Sequence, residues 1–128
     1  VLPESLNEIQ SYSFAYCNSL TKITLPTAMK TIGQYAFYSC YKLADITMPE
    51  TLNSMSTYVF ASCTSLPNIT LPETFTNIPD YTFQGCTALT DVELSSQTSS
   101  IGQYTFSGCT SLTNFDFDKY PQLTQLSN

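Results

Sequence analysis

The chain has 128 residues, 42% of them hydrophobic and 13% aromatic, which is enough apolar mass for a core. Its 4 basic residues, all Lys, stand against 10 Asp and Glu for a formal net charge of −6, and there is no His and no Trp. This balance excludes a basic surface for nucleic acid or anionic lipid, and the lack of His removes histidine triads, HExxH zinc sites and facial triads. Read from the start, Val1-Leu2-Pro3 looks like the end of a strand, with Pro turning the chain. Ile9 follows, then Tyr12-x-Phe14-x-x-Cys17-x-x-Leu20, whose apolar residues lie three apart and predict one or two short helical or 3₁₀ turns. Next comes Leu20-x-x-Ile23-x-Leu25-Pro26. Its period of two predicts a short strand with Ile23 and Leu25 inward and Thr24 outward.

The same elements then return every 23 residues. Phe14, Phe37, Phe60, Phe83 and Phe106 form one column, and Cys17, Cys40, Cys63, Cys86 and Cys109 a second. Leu20, Leu43, Leu66, Leu89 and Leu112 keep the step, as do Ile9, Ile32, Met55, Ile78 and Ile101. Pro3, Pro26, Pro49 and Pro72 mark the corner, with Ser95 in the last copy. Such columns require a solenoid in which each coil stacks on the one before. Five repeats fill residues 1–117. Residues 118–128 are expected to be an irregular final coil, a cap or the start of a different repeat type, with Leu123-x-x-Leu126 reading as another leucine-rich strand arriving early. The sequence lacks a visible targeting signal and is expected to be part of a longer product. No apolar run approaches the ~18 residues of a membrane span, so membrane insertion is not expected.

The segments LTKITLP, LADITMP, LPNITLP and LTDVELS, each preceded by Phe-x-x-Cys-x-x, together with TIGQYAFYSC and IGQYTFSGC, resemble the BspA-like leucine-rich repeats. The resemblance implies a right-handed leucine-rich-repeat solenoid of α/β type, with a short parallel strand and a short helical or 3₁₀ turn per coil, about five and a half coils in all. It further implies a non-enzymatic, secreted or cell-surface module for protein recognition or adhesion. The alternative is a structural subunit of an extracellular filament or coat, joined to further copies of itself end to end through uncovered apolar coils.

Three surfaces are candidates for function. Outward columns on the strands, Lys22, Asp45, Asn68, Asp91 and Asn114, with Thr24, Thr47, Thr70, Glu93 and Asp116, are the expected ligand-binding face of one continuous sheet. Tyr12, Tyr35, Tyr58, Tyr81 and Tyr104 are expected to form an aromatic stripe on the convex side. Asn68-Ile69-Thr70 is an N-glycosylation sequon. The five Cys are expected to be a buried, reduced column: coils ~4.8 Å apart hold parallel side chains too far apart for preferred disulfide geometry. The carboxylates carry no metal-loop spacing and no acid–base pairing, so neither a cofactor nor an enzyme activity is expected.

Overall fold

A computed structural model describes residues 1–126 of the chain. Its strands are β1 (Glu8–Ile9), β2 (Lys22–Thr24), β3 (Thr31–Ile32), β4 (Asp45–Thr47), β5 (Ser54–Met55), β6 (Asn68–Thr70), β7 (Asn77–Ile78), β8 (Asp91–Glu93), β9 (Ser100–Ile101) and β10 (Gln125–Leu126). All pairings are parallel and join counterparts in successive coils. Odd-numbered strands and β10 make a first sheet, even-numbered strands β2 to β8 a second, and about five turns wind between them. The 23-residue step is thus the strand register itself: Ile9 lies opposite Ile32, Ile23 opposite Ile46, and Ile69 opposite Val92. No helix among the described residues is long and apolar enough to cross a membrane.

The inward columns fill one core. Ile23 and Leu25 are buried while Lys22 and Thr24 are exposed, as a period of two requires. Phe37, Phe60 and Phe83 have no accessible surface. The Phe rings stack in parallel at 5.2, 5.5, 5.8 and 5.8 Å from Phe14 to Phe106. Offset stacking at this spacing adds to the burial of each ring.

The expected helical turn after each first-sheet strand does not form; the stretch is a run of turns. Alternate N–H groups serve two purposes. Ala15 and Cys17 donate back three residues to Tyr12 and Phe14, whereas Tyr12, Phe14 and Tyr16 donate to Gln34, Ala36 and Tyr38 in the next coil. A 3₁₀ helix would use every N–H internally and leave no ladder between coils. Left-handed residues make the alternation possible: φ is 63° at Tyr12 and 60° at Tyr16, and the later coils repeat it. Gly85 (φ 72°) and Gly108 (φ 75°) occupy the Tyr16 column without the Cβ penalty.

Both sheets are interrupted once. β4 does not pair with β6, nor β5 with β7. Elsewhere Ala44 N–H donates to Thr21, Thr90 N–H to Pro67, and Gly33, Ser56 and Gly102 N–H to Ile9, Ile32 and Ile78. At the interruption these donor positions are Pro67 and Pro79, which have no N–H.

The last coil departs from the 23-residue step. Leu123-x-x-Leu126 does not build a second-sheet strand; β10 joins β9 in the first sheet, with Leu126 opposite Ile101, 25 residues on (126 − 101) rather than 23. The two extra residues are taken up by a 3₁₀ turn, Phe117–Lys119, capped by the Asp116 carboxylate accepting from Asp118 N–H at 3.1 Å. Residues 127 and 128 lie outside the described part.

Candidate binding surfaces

All ten outward residues of the second-sheet columns are exposed. They do not form the continuous face that the spacing predicts. Lys22 pairs with Asp45 and Thr24 with Thr47 across β2 and β4; Asn68 pairs with Asp91 and Thr70 with Glu93 across β6 and β8. The break between β4 and β6 separates these two patches. Asn114 and Asp116 belong to no strand, and Asp116 is committed to the 3₁₀ cap. Their coil carries Phe115 and Phe117 where the others carry Ile or Val and Leu or Met, and the two rings contact each other at 4.8 Å instead of lying flat in the columns.

The first patch holds an ion pair, Lys22 Nζ to Asp45 Oδ2 at 2.6 Å, with both side chains more than half exposed. Solvent screening makes such a pair worth little in stability. The second patch is acidic, with Asp91 and Glu93 on one strand. Among the described residues no group of three or more Cys, Asp and Glu is placed to hold a metal ion. Asn68, the sequon residue, is exposed on β6 beside the break.

The tyrosine column stacks on the turn side. Ring centroids are 4.9, 4.6, 4.3 and 5.2 Å apart from Tyr12 to Tyr104, and the planes agree within 17°. Tyr12 and Tyr104 at the ends are exposed, whereas Tyr35, Tyr58 and Tyr81 are half-buried by their neighbours. Desolvation in the stack, followed by the neighbouring phenols, raises the pKa of Tyr35 and Tyr58. Tyr38 stands edge-on to both Tyr35 and Tyr16 at 5.4 Å, which widens the aromatic surface over the first two coils.

The five cysteines are unpaired; Cys17 is half-buried and the other four are buried. Each buried Sγ donates to the carbonyl of the Phe 26 residues earlier, at 3.0 Å from Cys40, 3.2 Å from Cys63 and 3.1 Å from Cys86 and Cys109. The repeat spacing predicts a buried, reduced column and no hydrogen bond from the thiols. The thiol instead gives each coil a weak side-chain tie to the one before it. Burial pushes Cys40 and Cys109 up to about 11 and Cys86 up to about 12, and raises Cys63 in the same direction.

One residue of consequence escaped the column analysis. Tyr120 is buried, with its ring 5.5 Å from Phe115. Its hydroxyl accepts from Leu94 N–H at 3.1 Å and lies 3.4 Å from the Val92 carbonyl, to which it donates. At the two bonded second-sheet seams the N–H at this position bonds a following strand, as Leu25 does to Thr47 and Leu71 to Glu93. Tyr120 therefore closes the outer edge of β8 with a side chain.

The description of a BspA type leucine rich repeat region matches residues 7–128 in 6 copies. Among solved structures, the Leucine Rich Repeat protein of T. pallidum is 30% identical over 96% of this chain and 63% of its own, with a TM-score of 0.80. A leucine rich cell surface protein of Faecalibacterium prausnitzii is 29% identical over 98% of this chain and 30% of its own, with a TM-score of 0.81. A leucine-rich repeat protein of Bacteroides capillosus is 31% identical over 70% of this chain and 63% of its own, with a TM-score of 0.63. The chain thus spans less than two thirds of the length of each. No curated protein matches it. Repeat, register and these likenesses agree: the chain belongs to the BspA-type leucine-rich-repeat family.

Proposed function

We propose that the protein is a non-enzymatic recognition module, secreted or held at a cell surface, that binds a protein partner through the outward columns of its second sheet. The reading takes the winding as right-handed, the hand that parallel crossover connections adopt. One observation carries it. Inward columns are nearly constant from coil to coil, whereas the exposed row changes from Lys22 to Asp45, Asn68 and Asp91 on strands whose inward residues pack into the core. Varied polar groups on a fixed scaffold are how repeat proteins build extended binding surfaces. The description of the F. prausnitzii relative as a cell surface protein supports the location. A glycan on Asn68 would cover the second patch and block it.

The test is surface plasmon resonance of the chain against a panel of cell-surface and matrix proteins. The triple variant Thr24→Arg, Thr47→Arg, Thr70→Arg is expected to lose the binding at unchanged Tm. Binding that survives these changes, and disappears with Tyr12→Ala and Tyr104→Ala, moves the site to the tyrosine stripe.

End-to-end assembly into a filament or coat is the second reading, favoured by apolar surface at both ends. Phe117 and Leu126 are 52% and 58% exposed at one end, and Leu2, Phe14 and Leu20 are half-buried at the other. Light scattering distinguishes it: mass that rises with concentration and falls with Phe117→Asp supports assembly, and a strict monomer rejects it.

A further inference from the structure

The two sheet interruptions are one feature. Taken along the chain, the segment 67–79 should pair with 44–56 one coil earlier, as 44–56 pairs with 21–33 and 90–102 with 67–79. The latter two seams are bonded throughout. Thr21 accepts from Ala44 and Asp45, Lys30 from Asn53 and Ser54, and Ile32 from Ser56, with β2 on β4 and β3 on β5 between them. Likewise Pro67 accepts from Thr90, Thr76 from Ser99, and Ile78 from Gly102, with β6 on β8 and β7 on β9. Between 44–56 and 67–79, by contrast, no backbone hydrogen bond crosses among the described residues. The Thr74 hydroxyl, donating to the Leu52 carbonyl, is the one polar tie across it among the described residues. Pro67 and Pro79 stand at the two ends of this seam.

Packing at the seam is also looser. Ile46 and Met48 are half-buried, whereas Ile69, Leu71, Val92 and Leu94 in the same columns are buried. A cleft of about 240 Å³ opens on the first-sheet side, lined among others by Asn53, Met55, Thr76 and Pro79. On the turn side the connection is unbroken: Tyr58, Phe60 and Ser62 N–H donate to Asp80, Thr82 and Gln84. The tightest ring stack of the tyrosine column, Tyr58 on Tyr81 at 4.3 Å, lies there too.

We propose that this seam is a hinge built into the array: residues 1–55 and 68–126 swing about the intact turn at 57–66, opening both sheets between 44–56 and 67–79. A seam held by apolar contact and one hydroxyl opens at lower free energy than seams zipped by two parallel ladders. The motion changes the distance between Asp45 or Thr47 and Asn68 or Thr70, so the array presents two patches of variable separation.

The chain carries its own probes. Met29 lies in the bonded seam and Met55 in the open one, and both are buried, at 0% and 7% exposure. In dilute peroxide the native full-length chain is expected to oxidise Met55 at least about tenfold faster than Met29. Pro67→Thr with Pro79→Gly restores both donors with residues that other coils already carry at these positions, Thr21 and Thr90, Gly33 and Gly102. In that variant Met55 is expected to slow toward the rate of Met29, which itself stays unchanged. If the variant misfolds, Met29 accelerates as well, and the wild-type ratio then decides alone. The pivot is tested by amide exchange: Phe60 and Ser62 are expected to remain protected while Met55 oxidises. Equal, slow oxidation of Met29 and Met55 in the wild type overturns the hinge. So does a folded variant in which Met55 keeps its rate, or loss of protection at Phe60 and Ser62 in step with Met55.

Discussion

Replacing Tyr120 by Phe isolates the cap on β8. The ring keeps its place against Phe115, and only the hydroxyl goes. Leu94, whose N–H it accepts at 3.1 Å, is 3% exposed, so water reaches that donor only if the strand edge opens. An unsatisfied buried N–H costs ~1–3 kcal/mol; the Val92 carbonyl, 3.4 Å from the hydroxyl, loses little more. For a chain of this size each kcal/mol lowers Tm by about 4 °C, so Tyr120→Phe is expected to lower Tm by ~4–12 °C. Thermal unfolding followed by circular dichroism measures this, and native-state amide exchange at Leu94 gives the local readout. An unchanged Tm together with a Leu94 amide as protected as in the wild type would refute the cap. Global loss without faster exchange at Leu94 would place the effect elsewhere.

Two further perturbations test the core and the thiols. Phe60→Ala removes a ring with no exposure from between Phe37 and Phe83 and is expected to cost ~3–5 kcal/mol in urea unfolding, as a cavity in a packed core does. Tyr58→Ala removes a half-buried ring with two stacked neighbours and should cost ~1–3 kcal/mol; equal losses would show that both columns are core. All five thiols are expected to be reduced in the folded chain, with Cys40, Cys63, Cys86 and Cys109 labelled by a thiol reagent only after denaturant is added; a loss of two hydrogens mapped to neighbouring Cys would contradict this. Because burial raises the folded thiol pKa above its unfolded value of 9.0, unfolded thiols ionise first as pH rises. Their contribution is full below pH 9 and declines until the folded thiols ionise at about 11 to 12. Urea midpoints that stay flat from pH 8 to 10.5 would contradict that burial.

Most of the architecture was legible because a solenoid writes its register as a sequence period. Ile9, Ile32 and Met55 are adjacent in the sheet because they are 23 apart in the chain. The turn stretch misled because a spacing of three suits a 3₁₀ helix and a run of turns equally. The distinguishing sign lay in Gly85 and Gly108, which share a column with Tyr16 and mark a left-handed position. The split in the face was also written, as Pro67 in a column otherwise Thr or Ala and Pro79 in one otherwise Gly, Ser or Gln. Those substitutions look minor in a column of residue types; their effect is the loss of an N–H. Tyr120 follows the two-residue lengthening of the last coil and so fell out of register with every column.

The alternating turns give the array a direction. Across four turn-side seams, three N–H groups at each donate to the following coil, twelve in all, and every one points the same way along the solenoid. Aligned peptide dipoles add, as they do along an α-helix. The turn edge therefore ends in N–H groups at Tyr104, Phe106 and Gly108 that find no backbone acceptor among the described residues, and in the carbonyls of Ser11, Ser13 and Ala15 at the opposite end. A coil added beyond Gly108 must offer carbonyls, and one added before Ser11 must offer N–H groups. A further stretch of the same repeat meets both conditions, whether it comes from this chain or another copy. Two copies meeting by like ends would set donors against donors or acceptors against acceptors, so this edge is complementary to another copy only head to tail.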